Sequence, residues 1–243
     1  KFKEALRVYE AVIRDDPGGP RGHRGAGMCL ARMRRFNEAG ARFQSALQLD
    51  PDDPGTIFDF ASALQNQGRF AEAIVQWRRV ESMGASDARV GTLAEIPFNR
   101  GHCARMLDLI PEAVEALNQA LRLAGDADPA QDRFRSELAA VLINSERFEE
   151  ATREFTRLVA RAPSDPQHQY HLGFCYLQLG QDDLAEKHLK EARRLDPKLA
   201  EASLRLAKLY MRQEKPDLAE SLYRESVEKN PLSSEGWNGL SLL

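Results

Sequence analysis

Three cysteines, five histidines and one glycine-rich stretch are the residues of this chain that could do chemistry. Cys29, Cys103 and Cys175, with His23, His102, His168, His171 and His188, could in principle bind a metal ion, form a disulfide or supply a nucleophile and its base. His168 and His171 share a helix face at i, i+3, but no cysteine or carboxylate cluster completes a ligand set of recognisable spacing. Gly22, Gly25 and Gly27 follow Gly18-Gly19-Pro20, which invites comparison with a phosphate-binding loop. Their spacing matches neither G-x-G-x-x-G nor G-x-x-x-x-G-K-[ST], and no strand precedes them. No Ser/His/Asp or Cys/His constellation emerges. The expectation is a chain without catalysis, metal or cofactor.

The elements that must position these residues repeat along the chain. Arg35-Phe36-Asn37-Glu38-Ala39 returns as Arg69-Phe70-Ala71-Glu72-Ala73 and as Arg147-Phe148-Glu149-Glu150-Ala151, and Lys1-Phe2-Lys3-Glu4-Ala5 is a variant of it. Following the alanine gives Ala5, Ala39, Ala73, Ala113, Ala151, Ala185 and Ala219, with spacings of 34, 34, 40, 38, 34 and 34. Four residues on stands Tyr9, Phe43, Trp77, Leu117, Phe155, Leu189 or Tyr223, and three further Val12, Ala46, Val80, Ala120, Leu158, Ala192 or Ser226. Spacings of four and seven put all three on one helix face. Twelve residues before six of these alanines comes Gly27, Ala61, Gly101, Ala139, Gly173 or Ala207, a small side chain that lets a second helix approach closely. Twelve after the alanine stands Pro17, Pro51, Pro163, Pro197 or Pro231, a helix stop. Each period is an antiparallel helix pair.

These residues resemble the tetratricopeptide repeat family, whose pattern runs Trp/Leu–Leu–Gly–Tyr and then Ala–Phe–Ala–Pro over 34 positions, and the resemblance covers essentially the whole chain. It implies an all-α fold, a right-handed α-solenoid (superhelix) of stacked antiparallel helix pairs. The units read 20–53, 54–87, 94–127, 132–165, 166–199 and 200–233, with 1–19 the second helix of a truncated repeat and 234–243 the start of a further one, in one continuous solenoid domain. Ala85 and Gly125 replace the terminal proline where extra residues, 88–93 and 128–131, follow. Those segments are either tolerated loop variation or a local change of superhelical pitch. Asp128-Pro129 reads as an N-cap with proline at the first helical position, so that helix should start a turn early. Pro97 predicts a late start or a kink. Gly22 and Gly25 each cost about 1 kcal/mol of helix propensity, which predicts a locally soft helix. The three cysteines occupy the same slot two units apart. Helices packed about 8–10 Å apart then separate them by on the order of 20 Å, far beyond the ~7 Å limit for a disulfide, and the expectation is buried free thiols.

The resemblance implies a partner-binding concave groove lined by first-helix positions 2, 5, 6, 9, 12 and 13. The residues singled out there are Arg24, Met28, Phe58, Ser62, Phe98, Asn99, His102, Arg133, Ser136, Tyr170, His171, Phe174, Arg205 and Lys208. Across the 36 lining positions eight residues are basic and four, Asp59, Glu95, Glu137 and Glu201, are acidic, on a chain of net charge −3. This groove suits an extended or helical protein segment with acidic and apolar anchors. The chaperone-binding carboxylate clamp is absent, because its slots hold Arg24, Met28 and Asp59, and only Asn99 fits the asparagine ladder of glycosyltransferase superhelices. Residues 20–49 carry six arginines against the single acid Glu38, either a solvated helix face or a patch for an acidic protein surface or an anionic membrane.

Composition agrees with a globular helical chain: 42% hydrophobic, 29% charged and 7% aromatic residues. A pI near 6.0 argues against a general nucleic-acid binder, and no apolar run approaches a membrane span. The chain has no initiator methionine and no signal-peptide core, so it reads as an internal segment, cytoplasmic rather than secreted. The expected function is a non-catalytic protein–protein interaction scaffold. The rival expectations are a docking array attached to an enzyme domain, and a self-assembling scaffold associating end to end.

Overall fold

The computed structural model describes residues 1–84 and 93–243. Among them lie fourteen helices and no strand. In chain order these are α1 (Phe2–Asp15), α2 (Pro20–Arg32), α3 (Phe36–Leu49), α4 (Pro54–Asn66), α5 (Phe70–Ser82), α6 (Glu95–Met106) and α7 (Ile110–Ala124). They continue as α8 (Gln131–Asn144), α9 (Phe148–Arg161), α10 (Pro166–Gln178), α11 (Asp182–Leu195), α12 (Ala200–Arg212), α13 (Pro216–Lys229) and α14 (Ser234–Ser241). The fold is an all-α solenoid of stacked helix pairs. Two compact units divide it, Lys1–Phe134 and Arg135–Leu243. The segment 88–93 falls outside the described residues except for the exposed Leu93.

The repeated small and large residues form the core of both units. Ala39, Ala73, Ala113, Ala151, Ala185 and Ala219 are fully buried, as are Trp77, Leu117 and Leu189. The small slot is needed because the large side chain of the paired helix lies directly over it. A Cβ on Gly101 would sit 2.8 Å from Leu117 Cγ, and one on Gly173 2.8 Å from Leu189 Cγ and 3.0 Å from the Leu189 backbone nitrogen. Gly22 and Gly25 serve the same close approach: both are buried, and a Cβ on Gly25 would fall 2.2 Å from the Tyr9 ring of α1.

The six first helices from α2 to α12 end in the same way. Arg34, Gly68, Asp108, Glu146, Gly180 and Glu214 all adopt left-handed backbone, with φ between 58 and 76°. The next amide then donates to the carbonyl five residues back, as in Arg35 to Leu30 and Arg147 to Leu142. This closing turn satisfies carbonyls that the helix end would otherwise leave free. Second helices stop two residues before the proline, α3 at Leu49 before Pro51 and α9 at Arg161 before Pro163.

Two irregular starts have local explanations. Pro97 is the third residue of α6, ahead of the amide of Phe98, which donates to the Ala94 carbonyl. Its missing N–H is one that a helix start leaves unused anyway, and the helix begins at Glu95 without needing a kink. At 128–131, Asp128 accepts from the Ala130 amide at 2.8 Å and caps a turn at 129–130, and α8 begins only at Gln131. That start is one residue before the expected unit rather than a full turn. The buried Gln131 amide donates to the carbonyls of Leu121 and Gly125, closing the end of α7 where the proline is missing.

Candidate functional site

First helices face one another along each unit, α2 beside α4 in the first and α10 beside α12 in the second. Between successive first helices lie two clefts built from the same repeat slots. In the first unit a cleft of ≈300 Å³ is walled by Met28, Ala31 and Arg32 on α2 and by Asp59 and Ser62 on α4, and Phe43 of α3 also lines it. In the second unit a cleft of ≈330 Å³ is walled by Ala140, Ile143 and Asn144 on α8 and His171 on α10, and Phe155 of α9 also lines it. Phenylalanine occupies this slot of the second helix only at these two places. The sequence placed Phe43 and Phe155 on one helix face without marking them as cleft residues; both are buried, and the available signal is that only two units carry phenylalanine there.

The groove aromatics form walls rather than protruding hooks. Phe58 meets Trp77 edge-on at 5.0 Å, Phe98 packs on Phe134 at 4.7 Å, and Phe174 meets Phe148 at 6.1 Å. His171 stacks on Phe155 at 5.1 Å, with Tyr170 against its edge. Burial holds the His171 imidazole below the usual histidine range, with the charge of His168 adding to it. Ser62 and Ser136 line the first and second clefts respectively. Asn99 and His102 are half-buried on α6.

Much of the groove's positive charge is met within the chain. Arg24 Nε lies 3.0 Å from Asp59 and its Nη1 3.5 Å from Asp53. Desolvation pushes the Asp59 carboxyl up, and the Arg24 charge pulls it back. Arg133 pairs with Glu95 and lies 4.4 Å above the Phe98 ring. Lys208 pairs with Glu235 at 3.0 Å, Arg212 pairs with Asp182, and Arg205 lies 5.3 Å over Phe174. Exposed pairs of this kind are worth about 0–1 kcal/mol each. Their larger effect is to lower the charge offered to a partner.

Nucleophilic chemistry finds no support in the thiols. Cys29, Cys103 and Cys175 are free and buried, and burial pushes both Cys103 and Cys175 up to about 12. The thiolate is the reactive form. A disulfide reagent at pH 8 is therefore expected to leave all three unmodified over minutes in the folded chain and to titrate three in guanidinium. Rapid labelling of Cys103 or Cys175 in the folded state would refute this. Among the described residues no group of three His, Cys, Asp or Glu side chains could hold a metal ion, and no helix is long and apolar enough to cross a membrane.

Helix pairs closed by one repeated turn and packed through one repeated small slot define a helical-repeat protein. Two family models of the tetratricopeptide repeat match the chain, one over residues 1–54 and 136–200, the other over 30–95 and 176–243. The chain belongs to the tetratricopeptide repeat family. It is 22% identical to Hsp70-Hsp90 organizing protein 1 of Glycine max, over 88% of this chain and 42% of that protein. It spans less than half the length of the curated relatives it matches. The C-terminal part of a tetratricopeptide repeat-containing protein from Cytophaga hutchinsonii superposes with a TM-score of 0.79 at 13% identity, over 98% of this chain and 94% of that one. YrrB, described as a tetratricopeptide repeat protein with an unusual peptide-binding site, superposes with a TM-score of 0.67 at 18% identity, over 82% of this chain and 97% of that one.

Proposed function

We propose that the chain is a non-catalytic interaction scaffold whose first-helix clefts hold an extended or helical segment of a partner protein through apolar anchors flanked by acidic residues. The observation that carries this reading is the recurrence of one cleft, phenylalanine-lined, at equivalent repeat slots in both units. Met28 at its rim is 44% exposed, apolar surface that a partner side chain would cover. Of the residues singled out from the sequence, Met28 and Ser62 line the first cleft and Ser136 and His171 the second.

The test is site-specific photo-crosslinking in lysate. A benzoyl-phenylalanine probe at Met28 or Ile143 is expected to capture a protein partner, whereas the same probe at Gln44 of α3 or Thr156 of α9 captures none. Equal capture at all four positions would sink the groove reading. Simple truncation of Phe58 or Tyr170 is a weaker test, because both rings pack into the unit that carries them.

A further inference from the structure

We propose that the turn joining α2 to α3 carries a subsite for an acidic side chain of the partner, so that the first unit selects a segment in which an apolar residue is followed closely by Asp or Glu. This deepens the peptide-binding reading and rests on it. A second cleft, of ≈400 Å³, opens at that turn among Arg34, Arg35, Asn37, Glu38, Asn66 and Gln67. It shares Phe36 and Asn66 with the apolar cleft of α2 and α4, so the two have a common wall.

The charge at this turn is not balanced from within. Glu38 is the single acid of residues 20–49, and Arg35 holds it through two bonds of 2.6 Å. The Gln67 side chain donates to the Phe36 carbonyl at 2.7 Å, which ties the backbone of the turn to the end of α4. The side chains of Arg34 and Asn37, both exposed, make no hydrogen bond or ion pair among the described residues. Arg34 also stands in left-handed backbone with φ 60°, in the slot filled by Gly68 and Gly180 and equally by Asp108, Glu146 and Glu214 in other pairs. A non-glycine residue there costs about 1 kcal/mol, offset by the closing-turn bonds from the amides of Arg34 and Arg35 to the carbonyls of Ala31 and Leu30. A cation whose side chain has no partner among the described residues, set beside an apolar cleft, points to a ligand carboxylate outside the chain. Arg34 lies beyond the usual first-helix lining positions, which extends the recognition surface over the turn.

The test is fluorescence anisotropy with the whole chain and a fluorescein-labelled octapeptide, Ser-Gly-Leu-Gly-Glu-Glu-Gly-Ser. Arg34→Gly is expected to raise the melting temperature by about 2 °C by releasing strain, while weakening peptide binding about tenfold. Arg34→Lys, which restores the charge, is expected to bind within about threefold of the parent. Exchanging both glutamates of the peptide for glutamine should mimic the loss seen in Arg34→Gly. The subsite is overturned if Arg34→Gly binds like the parent, if the glutamine peptide binds equally well, or if inorganic phosphate at millimolar concentration displaces the peptide fully, since that marks a general anion site. Groove crosslinks at Met28 that persist in any of those cases leave the wider reading intact. Absence of both peptide binding and groove crosslinks removes the two together.

Discussion

Trp77→Ala is expected to lower the unfolding free energy by about 3–5 kcal/mol, the range for deleting a fully buried indole. Trp77 is fully buried, four residues beyond the invariant alanine of α5, and Phe58 meets it edge-on at 5.0 Å and 81°. Removing the indole opens a cavity between α4 and α5 and withdraws the surface that holds Phe58 in the groove wall. In a linear array each helix pair rests on its neighbours, so the damage should spread outward from the cavity. Urea unfolding measures the total. Hydrogen exchange should rise in α4, α5 and α6 well before α10–α13. A loss under about 1 kcal/mol, or a uniform rise in exchange, would contradict this account. Trp77→Phe keeps a ring in the slot and should recover more than half of the lost stability.

Arg100→Met is expected to cost about 3 kcal/mol, the low end of what breaking a buried ion pair costs. The Arg100 side chain is 8% exposed in α6 and reaches two neighbouring helices. Its Nε lies 3.1 Å from Glu81 of α5, within ion-pair range but off the line of a hydrogen bond. Its Nη2 donates to Gln119 of α7 at 3.0 Å, and its Nη1 stands 3.6 Å from Glu112. Methionine fills most of the volume but leaves Glu81 and Glu112 facing a space without their central cation. Both carboxylates keep some access to water, 24% and 17%, which is why the expected loss sits at the low end. Arg78 also holds Glu112 at 2.6 Å, so Glu81 should account for most of the cost. Denaturant unfolding of Arg100→Met, Glu81→Gln and the double variant checks this: the double variant should recover at least about 1 kcal/mol relative to additivity. Strict additivity would show that the two groups do not interact.

The fold was largely legible before any coordinates because its contacts are local and repeated. Ala39, Ala73, Ala113, Ala151, Ala185 and Ala219 share one environment, and so the period alone identifies the buried face. The two irregular starts were less legible. Pro97 suggested disruption but sits where a helix has no amide to lose, and Asp128-Pro129 suggested an early helix but makes a capped turn instead. A proline's effect depends on where the first internal hydrogen bond falls, and a shift of two residues reverses the expectation. Gly22 and Gly25 show the same limit: propensity alone predicted softness, while the approach of Tyr9 and Ile13 explains why no larger residue fits.

In the candidate groove, residue types were readable and their availability was not. The family resemblance implied which first-helix positions line a groove, and the sequence supplied the basic and aromatic residues at them. Whether a given cation is free depends on what the fold brings beside it. Arg24 meets Asp59 from 35 residues away, Arg133 meets Glu95 from 38, and Arg212 meets Asp182 from 30. Each of these separations is close to one repeat, so the partner lies on an adjacent helix pair and only stacking decides the match. The sequence by itself determined the family, the helix pairing and the core face, since those follow from short-range periodicity. Tertiary structure alone decided that Arg24, Arg133, Lys208 and Arg212 are engaged within the chain while the Arg34 side chain has no partner among the described residues, because Coulomb attraction acts on distances that the chain's order does not specify.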